Sequence, residues 1–214
     1  MMASVGIIIR ARNEERWIRK SLQAINNQSF KDFKVVLVDN GSSDNTVNIF
    51  KQVMPNGRIL EINEFFPGKA INTGIEVCHC ELVVVLSAHC IPVHTHWLSS
   101  LVEIMHNEKL GAAYGRQVPL DSSHPLDKRD LLNTFGLERR IQKKDTFFHN
   151  ANSIIRRSVW EKHQFDENIK HIEDRVWAEK IIDDKFAIGY EPEAAVYHFH
   201  GIYHHEDLDR ASAI

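Results

Sequence analysis

The sequence predicts an α/β protein with a mostly parallel central sheet and helices on both faces. Short runs of β-branched and aliphatic residues are each stopped by polar loops, which is how strands buried on both faces look. Between these runs, apolar residues recur at helical spacing. Four such strand-to-helix alternations fall within the first ninety or so residues, and parallel strands joined by right-handed crossovers are the arrangement that buries both faces.

Ser4 to Ile9 reads as the first strand, broken by Arg10-Ala11-Arg12-Asn13-Glu14-Glu15. Trp17, Ile18, Ser21, Leu22 and Ile25 then mark a helix, with Glu14 and Glu15 where its dipole favours negative charge. Val35 to Val38 is a second strand. In the loop after it Gly41 allows a tight turn, and Ser43 or Asp44 caps a helix carrying Val47, Ile49, Phe50 and Val53. Arg58 to Ile62 is a third strand, Ala70 to Val77 a helix behind Pro67-Gly68-Lys69, and Leu82 to Leu86 a fourth strand. That strand delivers Ser87-Ala88-His89-Cys90-Ile91-Pro92 to its carboxyl end, where open α/β sheets bind ligands.

The second half is less regular. Trp97 to Met105 fits an amphipathic helix, Ala112 to Val118 a strand, Pro119 to Pro125 a loop and Leu131 to Ile141 a helix. Asn152 to Ile155 is a strand and Ser158 to Glu161 a capped helix start. Glu173-Asp174 opens a helix with Val176, Trp177, Ile181 and Ile182 inward, and Ala194 to Tyr197 is a last strand running into His198-Phe199-His200. The simplest partition is one domain over residues 1–214, with a nucleotide-binding half to about residue 118 and an acceptor half from about 119, sharing one sheet.

Composition narrows the function. A chain of 214 residues, 43% hydrophobic and 26% charged, is an ordinary soluble globular domain. A net charge of -3 gives no general reason to bind nucleic acid, although a local site can still be positive. Three cysteines without a paired framework favour a reducing, cytoplasmic compartment. No stretch has the roughly 18 apolar residues of a membrane span, and the start lacks a signal-peptide pattern. Thirteen histidines are the oddity, setting metal or phosphate chemistry against solvated surface. Cys78, His79, Cys80 and Cys90 have the wrong spacing for a zinc knuckle.

Asp39 follows a buried strand and precedes a glycine turn, the position from which such sheets offer a carboxylate to a ribose or base; capping the turn explains it equally well. The glycine-rich loops of dinucleotide and P-loop sites are absent, which also disfavours a nucleotidyltransferase.

Several segments together resemble a known family. Ile8-Ile9-Arg10-Ala11-Arg12-Asn13-Glu14-Glu15, Val35 to Thr46 with its Asp39-Asn40-Gly41-Ser42-Ser43-Asp44, and Lys69-Ala70-Ile71-Asn72-Thr73-Gly74 match in order and spacing the family 2 glycosyltransferases of GT-A fold. Asn152 to Trp160, Phe165-Asp166-Glu167 and Glu173-Asp174 extend the match over nearly the whole chain. The resemblance implies a nucleotide-sugar donor in the first half and a saccharide or lipid-linked saccharide acceptor in the second, with peripheral membrane association compatible. It implies that Ala11, Asn13 and Glu14 line the nucleoside, that Asp39 bonds its base or ribose, that Lys69 nears the diphosphate and that Asn72 shapes the adjoining loop.

One departure stands out. The family usually ends this fourth strand with Asp-x-Asp, whose carboxylate holds Mg²⁺ or Mn²⁺ on the donor diphosphate; here the residues are Ser87, Ala88 and His89. His89 can ligate a divalent ion as neutral imidazole, contact the diphosphate as imidazolium, or mark a degenerate site. His198 or His200 matches the C-terminal histidine that often completes the family's metal site, and on a strand the two share a face. By resemblance, Asp174 is the base that deprotonates the acceptor and Glu173 orients it, though both carboxylates also suit a helix N-terminus. Trp160, Trp177, Phe147, Phe148 and His149 are candidates for an acceptor cleft, with core packing the default for Trp177 and the His149 to Asn152 loop the stronger candidate. The expectation is an inverting, metal-assisted glycosyltransferase using a UDP- or dTDP-sugar in surface polysaccharide or glycoconjugate synthesis. The alternative is a catalytically silent GT-A module that binds a nucleotide or a partner.

Overall fold

The computed structural model describes residues 5–64 and 66–199. The first half runs β1 (Val5–Ala11), α1 (Ile18–Asn26), β2 (Phe33–Asp39), α2 (Thr46–Val53), β3 (Arg58–Glu61), α3 (Pro67–Val77), β4 (Leu82–Ser87), β5 (Cys90–Pro92), α4 (Trp97–Ile104) and β6 (Leu110–Pro119). The second adds α5 (Pro125–Thr134), β7 (Arg140–Gln142), β8 (Asn152–Arg156), α6 (Arg157–Trp160), α7 (Glu173–Asp183) and β9 (Ala187–His198).

All nine strands join one sheet in the order β3-β2-β1-β4-β8-β6-β9-β5, with β7 paired to β9. The run β3-β2-β1-β4 is parallel. Beyond it the sheet is mixed: β8 enters antiparallel between β4 and β6, β6 and β9 pair in parallel, and β5 and β7 pair antiparallel with β9. The α/β layering and the parallel run are what the apolar runs predict, every antiparallel pair including a strand of the second half; α1, α2 and α4 cover one face while α3, α6 and α7 cover the other.

Strand periodicity assigns side chains to the two layers. Ile7, Ile9, Val84 and Leu86 join the core under α1, α2 and α4, whereas Ile8, Val83 and Val85 pack under α3 and α7. Each fully buried Val, Leu or Ile contributes roughly 1.5–3 kcal/mol. On the α3 side the approach is close enough that a Cβ at Gly74 would meet Ile8 Cγ2 at 2.4 Å.

Three expectations change. The helix read over Leu131 to Ile141 lies earlier, starting at Pro125 with proline in its first turn, and Ile141 belongs to β7. Cys90-Ile91-Pro92, read as loop, is a short strand because β9 supplies it with hydrogen-bonding partners. The last strand starts at Ala187 rather than Ala194, its first half pairing with β6 and β7. Such pairings come from distant parts of the chain, so local pattern does not reveal them.

Candidate active site

The loops after β1 and β2 interlock. Asn13 takes a left-handed conformation, φ 54°, and its Oδ1 accepts the Ser43 amide at 2.8 Å, while its own amide donates to Ser42 Oγ at 2.9 Å. The Glu14 amide donates to Thr46 Oγ1 at 2.7 Å. Asp39 is buried; its two oxygens accept the Ser42 amide at 2.9 Å and the Ser42 hydroxyl at 2.5 Å, across the turn that Gly41 makes with φ 63°. Beside this turn lies a groove of about 460 Å³ lined by Arg12, Asn40, Gly41, Ile62, Asn63 and Glu64, at the carboxyl ends of β1 to β3.

The end of β4 leads into the densest polar cluster. Ser87 is half-buried and its amide donates to the Ala151 carbonyl at 3.1 Å; Ala88 is buried and its amide donates to the Arg10 carbonyl at 3.1 Å. His89 follows on a turn. Its Nδ1 meets Glu14 Oε1 at 2.7 Å, and its ring stacks on His198 with centroids 5.1 Å apart and 7° between planes. A carboxylate oxygen accepts, so Nδ1 donates in this contact and Nε2 is the ring nitrogen left to face a ligand. His198 is brought there by β9, where it stands opposite Cys90 of β5 and Pro119 of β6. Its Nδ1 lies 2.5 Å from Gln117 Oε1, the same arrangement with an amide oxygen as acceptor. His149 meets the His198 ring edge-on at 6.4 Å, and its Nδ1 accepts the Ala151 amide at 3.2 Å.

These residues suit a divalent ion. His89, Cys90 and His198 each place a ligand atom within 4.8 Å of the others, and they are the only such group of three among the described residues. Metal-binding imidazoles typically anchor their second nitrogen on an oxygen acceptor, as Glu14 and Gln117 anchor these two. Cys90 is the weak member: burial, and then the Glu14 carboxylate, push its thiol pKa up and keep it protonated. His200 lies outside the described residues.

The acidic pair sits at the start of α7. Glu173 is buried and Asp174 half-buried. The Asn150 amide donates to Asp174 Oδ2 at 3.4 Å and the Asn150 side chain to Glu173 Oε1 at 3.4 Å; Arg10 Nη1 lies 3.6 Å from the same Glu173 oxygen. Burial raises the pKa of both carboxyls; Arg10 opposes this for each, and the Arg175 and Asn150 amides oppose it further for Asp174. The residue before the pair, Ile172, is β-branched yet left-handed, φ 58°, a conformation that costs on the order of 1–3 kcal/mol. Arg10 bridges the two clusters: its carbonyl holds Ala88, its Nη2 donates to the Asn150 carbonyl at 3.2 Å, and its buried Nε has no partner among the described residues.

The structure therefore brings together Glu14, Ser87, Ala88, His89, His149, Glu173, Asp174 and His198. It sets other sequence candidates elsewhere. Asn72 is buried in α3, donating to the Phe165 carbonyl at 2.9 Å and Glu167 at 3.0 Å and accepting from Trp160 Nε1 at 2.9 Å and the Phe165 amide at 3.2 Å. It shapes the 160–167 segment from inside, and its amide has nothing left for a nucleotide. Lys69 is half-buried in the first turn of the same helix, and Ala11 is buried where β1 meets Asp39 of β2. Glu14, expected against the nucleoside, directs its carboxylate to His89. Trp160, Trp177 and Phe148 are buried in the core beneath α7 and cannot line a cleft, which leaves Phe147 and His149 half-buried at its edge. Arg10 and Gln117 were not foreseen as polar partners, a lone Arg or Gln within or after an apolar run being their only signal, whereas Asn150 falls in the His149 to Asn152 loop already singled out.

The sequence model of glycosyl transferase family 2 matches residues 6–164, well over half of the chain. The chain belongs to this family. It is a glycosyltransferase domain, as the six segments in register imply. Among similar proteins, the O-antigen chain rhamnosyltransferase WbaN of Salmonella anatum is 25% identical across 98% of this chain and 70% of its own length. RfbN of Salmonella typhimurium, also named an O-antigen chain rhamnosyltransferase, is 25% identical across 88% of the chain and 64% of its own length. Two solved structures share the fold. The mannosyltransferase PcManGT from Pyrobaculum calidifontis, in complex with GDP-Man and Mn²⁺, superposes with TM-score 0.72 at 19% identity over 93% of this chain and 57% of that one. TarS 1-349 of S. aureus, in complex with UDP, gives 0.74 at 17% over 92% and 60%. The chain thus spans 57 to 70% of the length of these proteins.

Proposed function

We propose that this chain transfers a sugar from a nucleotide-diphosphate donor, UDP- or dTDP-linked, to a hydroxyl of a saccharide or lipid-linked saccharide acceptor, with inversion, in surface polysaccharide synthesis. The observation that carries the reading is the pairing of two clusters at the carboxyl end of β4: the anchored histidines His89 and His198, and the buried acids Glu173 and Asp174, bridged by Arg10 and Asn150. The names of WbaN and RfbN support the polysaccharide setting, and the GDP-Man, Mn²⁺ and UDP complexes of fold relatives support a nucleotide donor.

The residues divide the work. The groove beside Arg12 and Asn40, shaped by the Asp39 turn and by Asn13, holds the nucleoside. His89 and His198 would hold Mn²⁺ or Mg²⁺ by Nε2, with Glu14 and Gln117 fixing their tautomers. A divalent ion there supplies positive charge to the leaving diphosphate, and two imidazoles without a carboxylate favour Mn²⁺ over Mg²⁺. Asp174 takes the acceptor proton as the new glycosidic bond forms, and Glu173 orients the hydroxyl. A raised carboxyl pKa strengthens the base once ionised, and Arg10 keeps the ionised form accessible.

A second reading is favoured by one observation: with Ser87 and His89 in the Asp-x-Asp positions, the site lacks both carboxylates, which suits a silent nucleotide-binding module. Titration calorimetry of UDP and dTDP with and without Mn²⁺, on the native chain and His89→Ala, separates the two. Nucleotide affinity raised by Mn²⁺ only when His89 is present is the expected result. Binding indifferent to both, with no transfer from any donor tested, would favour the silent module.

A further inference from the structure

Among the described residues, four of the six large apolar side chains that stand exposed fall on one stretch: Leu126 and Leu132 on α5, Leu137 in the loop after it and Ile141 on β7. Leu137 is 72% and Leu132 54% exposed, so more than half of each residue's surface stays in water. The same stretch is basic in a protein of net charge -3. Residues 126–144 hold six Lys and Arg against three acids, of which Asp127 is buried. Arg129 pairs with Asp130 and Arg139 with Glu191, while Lys143 and Lys144 stand exposed immediately after β7. The stretch also borders the candidate site. Phe135, between α5 and the loop, lies 6.1 Å from the His149 ring, and Tyr190 of β9 donates to the Gly136 carbonyl at 2.7 Å.

We infer that α5, the following loop and β7 form a surface that docks on an anionic lipid bilayer, with the leucines in the interfacial region and the lysines against headgroup phosphates. Exposed apolar residues interleaved with basic ones have this complementarity: apolar burial and charge attraction add, and neither alone holds a protein on a membrane. A protein partner of matching acidic charge would need a continuous polar rim, whereas here cations and leucines alternate along the chain. The surface extends the proposed acceptor reading, since it would present the Asp174 side of the cleft to a sugar carried on a membrane lipid.

The test is flotation of the whole chain with phosphatidylcholine vesicles with and without phosphatidylglycerol. Binding is expected only with phosphatidylglycerol. Leu137→Ser and Ile141→Ser should each weaken it at least about tenfold, and Lys143→Gln and Lys144→Gln about fivefold each, the lysine effect fading at high salt. All four positions are exposed, so circular dichroism should show the native fold in every variant. Failure to float with phosphatidylglycerol, or flotation unchanged in the variants, overturns the inference. So does concentration-dependent dimerisation, seen by light scattering and abolished by Leu137→Ser, which would assign the surface to a second copy. Vesicle binding intact in a chain that transfers no sugar would sink the proposed reaction and leave this surface standing.

Discussion

Two acidic sites lie at the rim of the sheet, and their oxygens are treated in opposite ways. Asp39, at the end of β2, gives both oxygens to Ser42 within three residues of itself, at 2.9 and 2.5 Å. Glu173 and Asp174, at the start of α7, take long contacts of 3.4 Å from Asn150, some two dozen residues away, with the Arg175 amide on Asp174 Oδ1 at 2.9 Å as the one close local donor, and burial raises their pKa. A locally satisfied carboxylate stabilises a turn and shapes the pocket beside it. An under-satisfied buried one costs stability and gains proton affinity, which is what a general base needs.

Breaking the second site should give the largest effect. Asp174→Asn is expected to lower transfer about 10²- to 10⁴-fold, measured as initial rate with a donor that the native chain uses, while leaving nucleotide binding intact. Because its folded pKa is raised, the native carboxyl holds more proton than it does unfolded. Native stability therefore falls as pH rises from the ordinary carboxylate range through the folded pKa. The variant lacks this penalty, so its Tm should exceed the native value at neutral pH and converge with it in acid. The acid limb of the native activity profile should lie above the ordinary carboxylate range. A limb at or below that range would deny Asp174 the role.

Next in size is the histidine anchor. Glu14→Gln keeps the shape but removes the anionic partner of His89 Nδ1, and should weaken Mn²⁺ binding about 10- to 100-fold by calorimetry. Asp39→Ala strips the acceptor from the Ser42 amide and hydroxyl, costing about 1–3 kcal/mol, read as a lowered Tm. If this variant lost transfer as fully as Asp174→Asn with its stability unchanged, the contrast between the two acids would collapse. The smallest effect is expected at Ile172. Asparagine tolerates a left-handed backbone, so Ile172→Asn should stabilise by about 1 kcal/mol, a Tm gain of roughly 2–4 °C.

The legible part of this protein was the part whose interactions are local or periodic. The runs Val35 to Val38 and Leu82 to Leu86 announced parallel strands because burial on both faces demands continuous apolar residues. The turn at Gly41 announced itself through the residue that tolerates φ 63°. Illegible were β5 and the first half of β9, whose partners lie from under fifty to more than a hundred residues away, and the helix start at Pro125, where a proline was read as the end of a loop rather than the first turn of a helix.

In the candidate site, residue types at strand and helix ends singled out His89, His198, Glu173 and Asp174, and the family register gave them roles. Sequence could not say that Glu14 turns to His89, that Asn72 and Trp160 bond each other in the interior, or that Arg10 joins the histidines to the acids. By itself the sequence determined the element types, the two core layers and the family, because these follow from periodicity and motif order. The tertiary structure alone decided which polar side chains meet. A hydrogen bond across 75 residues, as between Glu14 and His89, depends on strand order and register, which no local window of the chain encodes.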